Sequence, residues 1–196
     1  MSALAWPERG IDKKRFVEII TKFPPDKLDP SMISVPLLTE YSDIWKQRLP
    51  VTNKALYLTT NTVDKAESEI LGLFPSDNTS HLRAEVRKYS YACLLYEQVR
   101  CGFVHEYMIG KCASDSDQLR KILGVGEDQI SYVNCIDNVG TLNRRIHYSI
   151  ECISEMAKSV AHGLDCVCSQ QNIPIFQGLD LTTPTSWWIE GNSITT

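Results

Sequence analysis

The chain has 196 residues, a length that fits one hydrophobic core with appended segments rather than two full domains. Its composition, 43% hydrophobic and 22% charged, is typical of a soluble globular protein, and its longest apolar runs are too short to cross a membrane. The net charge of −4 excludes a generally basic surface, so any contact with nucleic acid has to be local.

The first part of the chain, residues 1–55, is predicted to form an arm or cover with short helices. A helix over about 11–23 is followed by prolines that prevent its continuation: Pro24, Pro25, Pro30 and Pro36. Apolar residues at three- and four-residue steps over 36–49 predict an amphipathic helix that ends before Pro50.

The middle of the chain, residues 56–172, is predicted to form a helical bundle. Helical patterns cover 62–74, 80–108 and 115–123, and the second of these is the longest. Because of its length and its apolar face, we expect the helix over 80–108 to be central.

A change of pattern follows the third of these helices. The β-prone runs 130–136 and 141–148 predict a hairpin, and apolar spacing over 150–170 predicts a final long helix. An irregular tail is expected over 173–196. The sequence therefore predicts a mainly α fold, an up-and-down helical bundle with a small β-hairpin before the last long helix.

The cysteines and the N-terminus indicate the cell compartment. Seven cysteines lie scattered through apolar segments, without the spacing of a disulfide framework. The N-terminal residues do not show the basic and apolar regions of a secretory signal. We therefore expect a cytoplasmic protein with reduced thiols.

Three residues near the end of the central helix are candidates for chemistry. Arg100, His105 and Tyr107 combine a permanent cation, a group that titrates near neutral pH and a phenol. A guanidinium can hold a phosphate and stabilise its growing charge, while an imidazole can move a proton at the attacking or leaving oxygen. This set suits phosphate chemistry on RNA without a metal.

The spacing of Arg100 and His105 raises a geometric question. On an ideal α-helix the two side chains point about 140° apart. A distortion near Gly102, the long reach of the arginine side chain, or a two-fold interface with a second copy would each bring them to one cleft.

The segment Leu95–Tyr107 resembles the signature of the HEPN superfamily, in which an Arg precedes a His by four to six residues. The added Tyr107 is similar to the form found in HEPN toxins of HEPN–MNT toxin–antitoxin pairs. Cys101 departs from the pattern, since active members often carry a polar residue, commonly Asn, after the Arg.

The resemblance implies a metal-independent endoribonuclease that acts on RNA as a homodimer, with no cofactor. Arg100 would then bind and polarise the phosphate, and His105 would be the acid/base group. Tyr107 would match the tyrosine that a nucleotidyltransferase antitoxin modifies with AMP. From their proximity alone, Glu97 and Glu106 are candidates for orienting the pair.

Three alternatives stay open at this point. The chain could be a catalytically inactive, HEPN-like helical binding or regulatory module. Cys101, His105 and Cys112 would share a helix face as metal ligands, although no Cys-x-x-Cys pair supports them. His147, two residues after the Arg144–Arg145 pair, marks a second candidate basic patch for RNA, although residues of this kind on strands more often face solvent. 

Overall fold

A computed structural model of the chain divides it into two compact units. One unit combines residues 1–30 with 153–196, and the other is the continuous segment 31–152. The residues that the structure describes are 12–49, 57–59, 63–75, 79–101, 108–114, 130–136 and 139–171.

In its described residues, the first unit has the helices α1 (Asp12–Lys22) and α7 (Ile150–Gln171, in this unit from Ile153 onward). Both were predicted, with ends within one or two residues. The buried stripe of α7 recurs at four-residue steps, which places it on one helix face: Met156, Val160, Leu164 and Cys168. Just after α1 the Phe23 ring lies against Gly163, and the Ser159 hydroxyl donates to the Pro24 carbonyl (2.9 Å). The chain directly after α1 therefore contacts α7.

The second unit begins with α2 (Val35–Tyr41) and α3 (Asp43–Lys46), where a single helix over 36–49 was predicted. Ser34 caps α2 through a hydrogen bond from the Leu37 N–H, and a proline near the first position fits that start. Ser42 has an extended backbone, and its hydroxyl donates to Glu85 (3.2 Å). The expected single helix is divided at Ser42, where the serine hydroxyl bonds to a residue outside this helix.

The helical region that follows is also more divided than predicted. Helix α4 (Glu67–Gly72) starts later than expected, because the preceding residues form a backbone bridge instead of a helical turn. The long central helix is interrupted: α5 (Thr79–Arg87) ends before Ser90, which forms an isolated bridge to Ile33. Helix α6 (Tyr91–Leu94) then continues directly into a π-helix, Leu95–Arg100. The helix predicted over 115–123 lies outside the described residues.

These helices enclose an apolar core around Trp45. Its ring meets Phe74 edge-on, with the ring centroids 5.4 Å apart. The buried members of this core are Ile33, Val35, Leu38, Trp45, Leu49, Ile70, Leu82 and Val86. The core joins α2 to α5 and so supports the start of α6.

The sheet has four strands in the order β1-β3-β4-β2. The predicted hairpin is confirmed as β3 (Ile130–Ile136) and β4 (Leu142–Tyr148), paired antiparallel. Gly140, between them, has φ +81°, a left-handed conformation that favours glycine. Two short strands that the sequence did not predict extend the hairpin: β1 (Tyr57–Thr59) pairs antiparallel with β3, and β2 (Ala113–Ser114) pairs parallel with β4.

The prediction of a mainly α, up-and-down helical bundle is wrong, because the sheet is a structural layer of a mixed α/β fold. Consecutive residues of β3 are buried on both faces, from Ile130 to Asn134. On one face Tyr132 bonds to Ser34 at the start of α2, and on β4 the Arg144 N–H donates to Glu40 (2.9 Å). A hairpin appended to a bundle would leave one face in solvent.

Within the described ranges, no helix combines the length and apolar character that a membrane crossing requires.

Candidate active site

The candidate catalytic arginine lies at the end of the π-helix. Ser90 caps α6 by accepting the Cys93 N–H (3.3 Å), and five residues later the helix widens. The Cys101 N–H bonds to the Tyr96 carbonyl, a spacing of five residues that defines a π turn. The angle of about 140° assumed a regular α-helix. The residues up to Arg100 do not form a regular α-helix, so this angle does not apply to them. π turns occur often at functional sites.

Arg100 is half-buried, and its guanidinium rests on Tyr96. The guanidinium carbon lies 5.0 Å from the centre of the Tyr96 ring, a cation–π arrangement. Its Nη1 donates to the Tyr96 hydroxyl (3.4 Å) and to the Cys101 thiol (3.9 Å), two long contacts with neutral groups. Among the residues that the structure describes, no carboxylate forms an ion pair with Arg100.

The chain returns to the π-helix after the motif and closes on Gln98. The Gly110 N–H donates to the Gln98 carbonyl (2.6 Å), and the Cys112 N–H donates to the Gln98 side-chain oxygen (3.1 Å). The Cys112 carbonyl in turn accepts from the Ile146 N–H of β4 (2.8 Å). The ends of the segment that carries the motif are therefore joined, and the closure is anchored to the sheet.

Two basic residues flank this closure. Burial raises the pKa of the Cys112 thiol, while the nearby positive charges of Lys111 and Arg145 lower it. Lys111 is exposed and Arg145 is half-buried. Lys111 and Arg145 therefore place positive charge near Cys112, whose N–H bonds to Gln98, two residues before Arg100.

Of the other predicted site residues, the structure describes Glu97 alone. Glu97 is exposed on the π-helix. Burial raises the pKa of Tyr89, and the charges of Glu85 and Glu97 add to this rise. His105, Glu106 and Tyr107 lie outside the described residues, so their predicted roles stay predictions.

The same limit applies to the metal hypothesis, which includes His105. Among the described residues, no three His, Cys, Asp or Glu side chains come together as a metal site. All seven cysteines are described, and each carries a free thiol.

The second basic patch is not a solvent-facing surface. Arg144 and His147 are each only 2% exposed. Arg144 Nε donates to Asn134 on the paired strand (3.1 Å), and His147 Nδ1 lies 2.8 Å from the Ser114 carbonyl oxygen, so this nitrogen carries the proton. Both side chains are internal because the sheet is buried on both faces.

Sequence reasoning missed a polar cluster around Asp64. The Tyr132 hydroxyl lies 2.8 Å from Asp64 Oδ2 and 2.7 Å from Ser34 Oγ, while Tyr91 donates to Asp64 and the Val35 N–H donates at 3.2 Å. Because a phenol has one proton, Tyr132 donates to Asp64 and accepts from Ser34. Asp64 lay in a segment that was predicted to be helical. Its partners are distant in sequence, so a local sequence pattern could not predict this cluster.

The Asp64 cluster combines a titrating carboxyl with phenols that stay protonated. Burial raises the pKa of Asp64 to about 7, although the hydrogen bonds from Tyr91, Tyr132 and Val35 lower it. Burial, followed by the charge of Asp64, raises the pKa of Tyr132 well above its usual value. The cluster joins three backbone segments that also bond directly, through Ile33 to Lys65 and Tyr91 to Met32.

Comparisons with protein-family models, with curated proteins and with solved structures gave no match. The resemblance to the HEPN superfamily therefore rests on the motif residues alone.

Proposed function

We propose that this protein is a metal-independent endoribonuclease in which Arg100 and His105 carry the reaction. The observation that supports it best is the state of Arg100: a half-buried guanidinium on a π turn, oriented by an aromatic ring and paired with no carboxylate among the described residues. A cation in this setting has hydrogen-bond donors to offer to a phosphate.

The proposed reaction needs only these groups and the RNA. His105 takes the proton of a 2′-hydroxyl, whose oxygen attacks the adjacent phosphorus. The bond from phosphorus to the 5′-oxygen breaks, and that oxygen takes the proton that His105 accepted. The products are a 2′,3′-cyclic phosphate and a 5′-hydroxyl. Arg100 stabilises the charge on the non-bridging oxygens as the new bond forms.

RNA binding agrees with the positive charge near Arg100 better than with the negative net charge of the whole chain. The net charge of −4 opposes general phosphate binding, whereas Lys111, Arg145 and Arg100 provide cations near the closure on Gln98. We propose that these residues contact the RNA backbone, with Glu97 and Glu106 orienting the catalytic pair.

The proposal includes a homodimer whose two copies share one cleft. A two-fold interface would bring Arg100 of one copy near His105 of the other. It also includes Tyr107 as the site of AMP addition by a nucleotidyltransferase antitoxin. The free thiols of all seven cysteines agree with a cytoplasmic location.

The test is RNA cleavage by the purified protein in EDTA, with wild type compared with Arg100→Ala and His105→Ala. Both variants are first checked for folding by circular dichroism. We expect each to lose at least about 100-fold in rate. A folded His105→Ala variant with wild-type cleavage would contradict the proposal.

A non-catalytic binding module is the second candidate, and the identity of Cys101 favours it. Its thiol accepts from Arg100 at 3.9 Å, where active HEPN proteins often carry a polar residue. If the wild type cleaves no RNA over varied sequences, this reading replaces the nuclease.

A further inference from the structure

We propose that Gln98 is a positioning residue for Arg100, because it bonds the π-helix that ends at Arg100 to Gly110 and Cys112. This inference rests on the proposed function. Gln98 itself need not touch the RNA.

The contact uses both the backbone and the side chain of Gln98. Its carbonyl accepts the Gly110 N–H at 2.6 Å, and its side-chain oxygen accepts the Cys112 N–H at 3.1 Å. One residue of the π-helix therefore fixes two points of the returning chain. The side-chain bond is the part that a substitution can remove while the backbone bond stays.

Gly110 makes this approach possible. A Cβ at this position would lie 2.9 Å from the Gln98 Cα, closer than real Cβ atoms come, and 3.0 Å from the Gln98 carbonyl oxygen. The requirement is steric, because Gly110 is not among the glycines with positive φ. A backbone-to-backbone contact this close leaves the returning chain little freedom.

The other end of the closure is fixed as well. The Ala113 N–H bonds to the Gly110 carbonyl (3.0 Å), and β2 then pairs with β4 through Ala113 and Ile146. The π-helix that ends at Arg100 is therefore tied through Gln98 to a stretch of chain that pairs with β4. A displacement of about 1 Å between reacting groups can cost about 100-fold in rate.

The experiment compares Gln98→Met, which keeps the volume and removes the acceptor, with Gln98→Glu, which keeps the acceptor. Initial rates on one RNA give kcat and KM separately, per folded molecule. For Gln98→Met we expect kcat to fall about 10- to 100-fold with KM within about two-fold, and Gln98→Glu to recover most of kcat. Gln170→Met, on the exposed surface of α7, is the matched control.

The outcomes separate this inference from the proposed function. If the wild type cleaves RNA, Arg100→Ala does not, and folded Gln98→Met keeps full kcat, the positioning role is wrong and the nuclease stands. If the wild type cleaves nothing, both fail together. Should Gln98→Met not fold, Gly110→Ala takes its place, with Gly72→Ala, in open space, as control; full kcat in a folded Gly110→Ala also overturns the inference.

Discussion

Arg100 combines two properties that a lysine cannot reproduce. Its planar guanidinium lies on the Tyr96 ring and presents several donors in a fixed fork, whereas a lysine ammonium is a compact charge on a flexible stem. Keeping the positive charge at this position is therefore not enough for the proposed reaction.

We predict that Arg100→Lys lowers kcat/KM for RNA cleavage by about 100- to 1,000-fold, like the loss of a donor to a charged transition state. Single-RNA kinetics measures it. Arg83→Lys, at a half-exposed ion pair with Glu67, is the control and should cleave within about two-fold of wild type. Cleavage by Arg100→Lys at the wild-type rate would argue that only charge matters.

Asp64 predicts a pH dependence of stability. Its pKa rises from an ordinary value of 3.8 to about 7 in the folded protein, so between these values the folded state holds a proton that the unfolded chain has lost. The stabilisation is full below the ordinary value and is lost as the pH rises through about 7. For one proton, the free energy of unfolding falls by at most about 1.4 kcal/mol per pH unit.

We predict that Asp64→Asn flattens the decline in the free energy of unfolding between pH 5 and 8. The amide keeps an acceptor for Tyr132 and Val35 but cannot ionise. Urea unfolding at several pH values measures it, with Asp26→Asn, at an exposed position, as control. An unchanged slope in Asp64→Asn would mean that other groups cause the decline.

At the scale of elements, the contact between Phe23 and Gly163 links the chain after α1 to α7. Replacing a glycine by alanine inside a helix usually stabilises by about 1 kcal/mol, but here the new methyl group would overlap the Phe23 ring. Overpacking typically costs about 1–3 kcal/mol.

We therefore predict that Gly163→Ala lowers the free energy of unfolding by up to about 2 kcal/mol. Urea unfolding measures it, and Gly72→Ala, with nothing within 4 Å, should be neutral or slightly stabilising. If Gly163→Ala is as stable as Gly72→Ala, the ring is free to move away.

Elements with local signals were predictable, and those that depend on distant partners were not. Helices α1 and α7 and the hairpin carry their periodicity and turn residues in sequence. The break at Ser42 depends on Glu85, and the bridge at Ser90 depends on Ile33, which no window of neighbouring residues contains.

The site shows the same division. The residue types at the motif led to Arg100, while the closure through Gln98 depends on Gly110, twelve residues later. The π turn at Tyr96 and Cys101 was not predicted either. Strands β1 and β2 are only three and two residues long, so an alternating pattern of apolar and polar residues could not predict them.

For the molecule as a whole, the net charge of −4 leaves only a few local cations for the proposed RNA contact, and we expect its salt dependence to be weak. Each phosphate contact on a single strand contributes about −0.7 to the slope of log K against log salt, so three cations give a slope of about −2. The cations are Arg100, Lys111 and Arg145.

We predict that Lys111→Ala reduces the magnitude of this slope by about 0.7. Fluorescence anisotropy of a labelled RNA measures it, in a His105→Ala background to prevent cleavage. Lys158→Ala, at an exposed ion pair on α7, should leave the slope unchanged. A slope steeper than about −5 would indicate a far larger basic footprint than these residues provide.

The two parts of the first unit are synthesised at different times, because the whole second unit lies between them in the chain. Helix α1 leaves the ribosome about 130 residues before α7 begins, which at about 5–20 residues per second is a delay of roughly 6 to 26 seconds. During that time the Phe23 ring, just after α1, lacks Gly163 of α7, against which it later lies. The continuous unit can fold in the meantime, and we expect the segment that contains α1 and Phe23 to be a temporary binding site for chaperones until translation reaches α7.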